Sequence, residues 1–250
     1  MGSPILFDLA IFFLAAFLGA LVTGVAGFAF GLVASAIWLY VITPGQSAPL
    51  IAAFAIVIQG LSLWKVRKAL TWSRLWPFLI GGALGIPLGA EVLLWASPSL
   101  MRSIIGLALV LFSVYTLVRP KLPTVSASRT GDGVVGVISG ILGGSTGLAG
   151  IAVIIWSTLR GWSKDEQRAA FQPVAVATFA MALLWFGVSG MITSDTLRLF
   201  AIGLPGVLLG TWLGLKIYGK LDEATFRTVV LVLLLISGLT LLPSAIMKPG

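Results

Sequence analysis

Two glycine-rich stretches, 5–42 and 134–159, hold most of the residues whose types and spacing suit binding chemistry in this 250-residue chain. The first contains Gly19, Thr23, Gly24, Gly27, Phe28 and Gly31. The second contains Gly136, Ser139, Gly140, Gly143, Gly144, Ser145, Thr146, Gly147 and Gly150. Each glycine weakens a helix interior by about 1 kcal/mol relative to alanine, so both stretches are expected to break. A broken helix leaves unpaired backbone N–H groups at the start of its second arm, where the helix dipole is positive. That arrangement holds anions. The second arms are expected to begin near Phe28 and near Ser145. If both breaks meet at mid-membrane depth, two helix N-termini face one cavity, and Thr23, Ser139, Ser145 and Thr146 add hydroxyl donors. Gln59 and Gln172 lie well inside apolar spans. They either add amide donors or bond between helices, because a buried amide without a partner is costly. Glycines at this spacing also serve simply to pack membrane helices closely, and both readings stand.

Reactive chemistry is largely excluded. The chain has no His and no Cys, so histidine or thiolate metal sites, thiol nucleophiles, Ser-His-Asp triads and disulfides cannot be built. No Asp, Glu, Lys or Arg falls in the middle of an apolar span. No metal, no cofactor and no catalytic residue is expected, and the chain is not read as an enzyme. Glu91, the deepest carboxylate, is either an interfacial group or a proton-coupling one. Arg168 is either a loop anchor or a cation that attracts and gates an anion. Pro87, Pro173 and Pro205 would kink their helices and serve as hinges. Phe28 and Trp185 are aromatic residues suited to line a cavity.

The elements that position these residues follow from composition. Hydrophobic residues make up 58% of the chain and charged ones only 10%, against about 25% in soluble domains. The mean hydropathy is +1.09. A multi-pass protein of the cell (inner) membrane results. Crossing the hydrocarbon core takes about 20 apolar residues, and six segments fit: 46–64, 75–95, 100–118, 166–188, 196–218 and 223–242. Loops are short, the longest being 119–132, so no soluble catalytic domain is expected. No Lys or Arg precedes Lys65, which argues against a signal peptide. Trp64, Trp72, Trp76, Trp95, Trp162 and Trp212 fall near span ends and read as interfacial anchors.

The chain repeats. Residues 1–118 and 133–250 form two transmembrane halves joined by a cytoplasmic linker, 119–132. Gly24-x-x-Gly27-x-x-x-Gly31-Leu32 recurs as Gly140-x-x-Gly143-x-x-x-Gly147-Leu148, with Thr23 matching Ser139. Gly85-x-Pro87-x-Gly89 is echoed by Pro205-Gly206-x-x-x-Gly210, and Arg102 by Arg227. The net charge of +8, which on a soluble protein would suggest nucleic acid, is here a topology signal. If each broken stretch crosses once, the loop cations divide 9 inside to 7 outside. If each enters and returns, they divide 13 to 3. The positive-inside rule prefers the second arrangement, which inverts the halves and puts both termini outside. The expected fold is all-α and polytopic, with two inverted-topology repeats. Each repeat holds one Gly-broken re-entrant or hairpin segment and three transmembrane helices. Inverted repeats with broken helices are a pattern of secondary transporters. At 26 residues, the second stretch is expected to be two half-helices.

The first glycine segment, the basic loop 65–74, the Gly85-Ile-Pro87-Leu-Gly89 element, the segment Gly140-Ile-Leu-Gly143-Gly144-Ser145-Thr146-Gly147-Leu and Arg168-Ala-x-x-Gln172 together resemble the sulfite exporter (TauE/SafE) family over about residues 8–243. The resemblance implies a permease for small sulfur-containing anions such as sulfite and organosulfonates, or for some carboxylates. Many members carry Gly-Gly-Gly where Phe28, Ala29 and Phe30 stand here, so the particular substrate is not carried over. The expected function is a secondary transporter working by alternating access, with H⁺ or Na⁺ as coupling ion. Its partners are a small anionic substrate and the lipid bilayer, without nucleic acid; an oligomer is compatible with the sequence. The alternatives are a carboxylate-type facilitator and a membrane assembly or binding subunit. Ser145→Ala and Thr146→Ala are expected to weaken anion binding more than stability.

Overall fold

The computed structural model describes residues 3–26, 29–66, 72–118, 125–126, 128–162, 164–217, 228, 231–232 and 234–242. They form α1 (Ser3–Ala26), α2 (Phe30–Trp38), α3 (Pro44–Val66), α4 (Trp72–Trp95), α5 (Pro98–Val118), α6 (Arg129–Thr146), α7 (Gly150–Leu159), α8 (Lys164–Val188) and α9 (Ser194–Ile217). Residues 231–232 and 234–242 are also helical, and no strand occurs among the described residues. Among the described residues, six helices are long and apolar enough to cross a membrane: the spans Leu6–Val25, Pro44–Leu61, Trp72–Trp95, Pro98–Val118, Ala170–Val188 and Ser194–Ile217. The all-α, multi-pass architecture agrees with the sequence. Membership differs in one place. The first arm of the first broken stretch is itself long enough to span, and the expected span 223–242 falls largely outside the described residues.

The chain divides into two compact units. One comprises Met1–Ile51, Ala96–Pro120 and Thr193–Gly250; the other comprises Ala52–Trp95 and Lys121–Ile192. Each unit draws helices from both halves of the sequence, and each is organised around one close helix pair. In the second unit that pair is α4 and α6. Methyls built on Gly81, Gly85 and Gly89 would each lie 2.2 Å from a carbonyl oxygen of α6, those of Gly133, Val137 and Ile141. From the α6 side, Gly136, Gly140 and Gly144 face the carbonyls of Phe78, Gly82 and Ile86. Both helices advance together by four residues, so they run parallel. In the first unit, α9 meets α1 in the same manner: Gly206 against Phe13, Gly210 against Phe17, and Gly214 against Leu21 and Gly24. Gly19 and Gly24 therefore do not break α1. With no hydrophobic driving force in lipid, close backbone approach between small residues supplies the packing energy.

The breaks lie later than expected in the second stretch. Thr146 ends α6, and α7 starts at Gly150. At 18 residues, α6 is about 27 Å long and is not a half-helix. The short members of α1–α9 are α7, with 10 residues, and α2, with 9. The reason is the polar start of α6. Ser128 caps it, accepting from the Gly131 amide at 3.3 Å, and carries the helix five residues ahead of the apolar run. The repeat register shifts accordingly. Matching α1's end at Ala26 to α6's end at Thr146, and Phe30 to Gly150, pairs Gly24-Val-Ala-Gly27-Phe-Ala29 with Gly144-Ser-Thr-Gly147-Leu-Ala149. That is one helical turn along from the Gly24–Gly140 pairing read in the sequence.

Both broken stretches double back. Trp38 at the end of α2 stacks on Phe12 at 4.8 Å between ring centroids and donates its indole N–H to the Phe12 carbonyl at 3.0 Å. At the start of α2, the Phe30 ring instead packs beside Gly19. In the second unit, Asp132 near the start of α6 accepts from the Trp156 indole and from Arg160 Nη1, both at 2.7 Å. These two donors lie at the end of α7. The Val125 amide also donates to the Leu159 carbonyl at 3.0 Å. The second stretch thus enters and leaves at the same end of its unit.

Candidate substrate-binding site

The break between α6 and α7 is built from backbone first. Gly147 takes a left-handed conformation (φ 74°), which glycine adopts without steric cost. Its amide donates to the Gly143 carbonyl and that of Leu148 to the Leu142 carbonyl, which closes the end of α6. The chain then turns directly into α7 through Ala149, which offers no side-chain cap. The opening amides of α7 therefore find no capping side chain. Ser139 donates its hydroxyl to the Ala149 carbonyl, fixing that helix start against α6. The first break has a matching start. Ala29, also without a side-chain cap, precedes α2 with φ 89°. A non-glycine residue in that region costs about 1–3 kcal/mol and is kept only where the surroundings impose it. Gly27 and Phe28 lie outside the described residues.

The candidate residues separate by role. Gly24 and Gly144 are packing positions: a methyl at Gly24 would meet the Gly214 backbone at 2.8 Å, and one at Gly144 the Ile86 carbonyl at 2.4 Å. Gly143 faces the break itself, where a methyl would lie 2.9 Å from Ala149 Cβ and 3.3 Å from Thr178 Cγ2. Three of the candidate hydroxyls donate within their own helices at 2.7 Å: Thr23 to Gly19, Ser145 to Ile141 and Thr146 to Leu142. Thr146 Oγ1 accepts in turn from the Leu148 amide. Gln59 and Gln172 are buried, and their Oε1 atoms have no hydrogen-bond partner among the described residues.

The gating and coupling candidates fall on α4, α8 and α9. Glu91 is exposed and accepts from the Trp95 indole at 2.9 Å, one turn along α4. Pro87 and Pro205 sit inside α4 and α9. Arg168 belongs to α8, and its side chain is outside the described residues. No cluster of three or more acidic residues that would hold a metal occurs among the described residues.

Two features escaped the sequence. One is Thr178, wholly buried on α8 beside Gly143 and Gly82, with Oγ1 unpartnered. A lone polar residue inside an apolar span was the signal available. The other is the Asp132–Trp156–Arg160 cluster, which joins the ends of α6 and α7. Nearby, Arg160 and Arg74 lie over the Trp162 ring at 4.8 and 5.8 Å, and Arg74 pairs with Glu166 at 3.5 Å.

The family described as Sulfite exporter TauE/SafE matches residues 12–241. A probable sulfite/organosulfonate exporter TauE of Cupriavidus necator is 26% identical over 235 residues, covering 89% of each chain. No solved structure matches. The chain belongs to the TauE/SafE family and is a multi-pass membrane transporter.

Proposed function

From that membership, we propose that the protein moves a small sulfur oxyanion, sulfite or an organosulfonate, by alternating access between two inverted repeats. The substrate class follows the name of the Cupriavidus necator relative. The observation that carries the reading is the uncapped start of α7 at Ala149, held by Ser139 beside a glycine-lined break. Backbone amides and a positive helix end suit an oxyanion, and a charge-poor interior leaves them as its main binding groups. In this reading Gly143 and Gly147 let the backbone approach the ligand, while Ser145 and Thr146 shape the turn. Gln59 and Gln172 serve as polar wall groups, with Pro87 and Pro205 as hinges.

The inversion of the halves draws support from the second stretch entering and leaving at one end of its unit. Each half then makes an odd number of crossings. Arg168 is assigned to attracting the anion at the cytoplasmic mouth. Uptake of labelled sulfite and methanesulfonate into proteoliposomes tests the function. Saturable, counterflow-competent transport is expected, and non-saturating permeation or none overturns the carrier reading. Imposing Na⁺ and H⁺ gradients in turn identifies the coupling ion: Na⁺ bound at half-helix carbonyls, or a proton taken by Glu91. The same amide geometry accepts a carboxylate, so acetate competing as well as methanesulfonate would favour the carboxylate facilitator.

A further inference from the structure

We propose that Asp132, Trp156 and Arg160 form a latch that opens during the transport cycle and releases the end of α7 from α6. That the chain is a transporter is the only premise; which anion it carries does not enter. The two broken stretches are closed at the same rung. Phe17 and Leu21 of α1 meet Gly210 and Gly214, and 120 residues further on, Val137 and Ile141 of α6 meet Gly85 and Gly89. In that register Phe12 matches Asp132, and Tyr40 matches Arg160. In the first stretch, the Trp38 ring stacks on Phe12 and its indole N–H donates to the Phe12 carbonyl. In the second, an indole N–H again closes the hairpin. Here the Trp156 indole and the Arg160 guanidinium both donate to Asp132 Oδ1.

Two closures at one rung thus use opposite chemistry. The apolar closure of the first stretch shows that this fold can hold a short helix without an ion pair. A buried ion pair is a poor source of stability, because desolvating both charges offsets their attraction, and apolar residues of similar volume serve as well or better. What the ionic closure gains is reversibility. Once opened, the carboxylate and guanidinium are hydrated, which recovers the desolvation cost. An opened Phe12–Trp38 stack instead exposes two apolar rings to water. Arg160 also lies over the Trp162 ring at 4.8 Å, a contact within its own segment that survives the loss of Asp132. The second stretch is therefore the one built to open.

The chain has no native cysteine, so one introduced thiol reports on each stretch. Ser157 of α7 is 1% exposed and Ser35 of α2 is 0% exposed. The test is the rate of maleimide labelling of Ser157→Cys and of Ser35→Cys in the purified full chain, with melting temperatures alongside. Each thiol is placed in three backgrounds: otherwise wild type, Asp132→Asn, and the apolar pair Asp132→Leu with Arg160→Met. Asp132→Asn keeps an acceptor for Trp156 but removes the charge facing Arg160. It should speed labelling of Ser157→Cys about tenfold and leave that of Ser35→Cys within about twofold, as local opening requires. The apolar pair should hold or raise the melting temperature and slow labelling of Ser157→Cys at least about threefold. It should also cut proteoliposome uptake of labelled sulfite or methanesulfonate about tenfold, because a latch that cannot open stops turnover. A rise in Asp132→Asn shared equally by Ser35→Cys marks general loosening and overturns the proposal. So does an apolar pair that stays folded and either transports or labels at the wild-type rate, which marks a purely structural ion pair. If the apolar pair does not fold, the comparison of the two thiols in Asp132→Asn decides alone. If wild type carries neither anion, the substrate reading fails and the labelling rates still decide the latch.

Discussion

At the scale of single residues, Ser139 and Ser145 look alike in sequence and do different things. Ser139 donates across the break to the Ala149 carbonyl, whereas Ser145 donates within its own helix to Ile141. Ser139→Ala releases the start of α7. It should weaken sulfite binding several-fold while costing only about 1 kcal/mol of stability, the usual net value of one hydrogen bond. Titration calorimetry and detergent unfolding read the two effects separately. Ser145→Ala leaves the start of α7 in place and should change affinity less than twofold, contrary to what composition suggested. The cluster of small and hydroxyl residues was legible because glycine density and serine position are sequence facts. Which carbonyl a hydroxyl chooses is a rotamer choice set by the three-dimensional neighbours. Thr178 was illegible for a related reason: a lone threonine in an apolar span reads as tolerated filler until its missing partner is visible.

At the scale of elements, the glycines of α4, α6 and α9 are backbone contacts before they are anything else. Gly85→Ala would place a methyl 2.2 Å from the Val137 carbonyl and force the α4–α6 pair apart. A loss of about 1–3 kcal/mol is expected from such overpacking, seen as a lower unfolding midpoint in detergent. Gly60→Ala is the contrast, because nothing lies within 4 Å of its added methyl. It should be neutral or stabilising by up to about 1 kcal/mol. The Asp132 cluster acts on the same scale by pinning the two arms of the second stretch. Asp132→Ala strands Arg160, whose side chain is only 12% exposed, and should destabilise by about 3 kcal/mol. Adding Arg160→Met should recover part of that loss. Five of the spans read from hydropathy agree with described spans to within about four residues, whereas Leu6–Val25 was read as part of a broken stretch. The repeat register was not legible, because Gly144 and Gly147 repeat the spacing of Gly140 and Gly143 one turn on, so the first two glycines of the motif fit either frame. Only the helix ends decide between them.

At the scale of the whole molecule, the question is which way each half runs, and the cations carry the answer. The 13 to 3 division of loop cations requires stretches 65–74, 119–129 and 160–168 to share a side. Within the second unit, described residues of these stretches meet. Arg74 pairs with Glu166, Arg74 and Arg160 share the Trp162 ring, and Val125 bonds to Leu159. A single crossing by the second stretch would separate residue 125 from residue 159 by the thickness of the bilayer, about 30 Å. The absence of native cysteine makes the test direct, since every introduced thiol is the only one. Ser73→Cys, Ser126→Cys and Ser163→Cys should react with a membrane-impermeant maleimide from the cytoplasmic face. Ser97→Cys, at the far end of α4, should react from the opposite face. Labelling of Ser126→Cys and Ser163→Cys from different faces would mean that the second stretch crosses, and the inverted arrangement would be lost along with the alternating-access mechanism built on it.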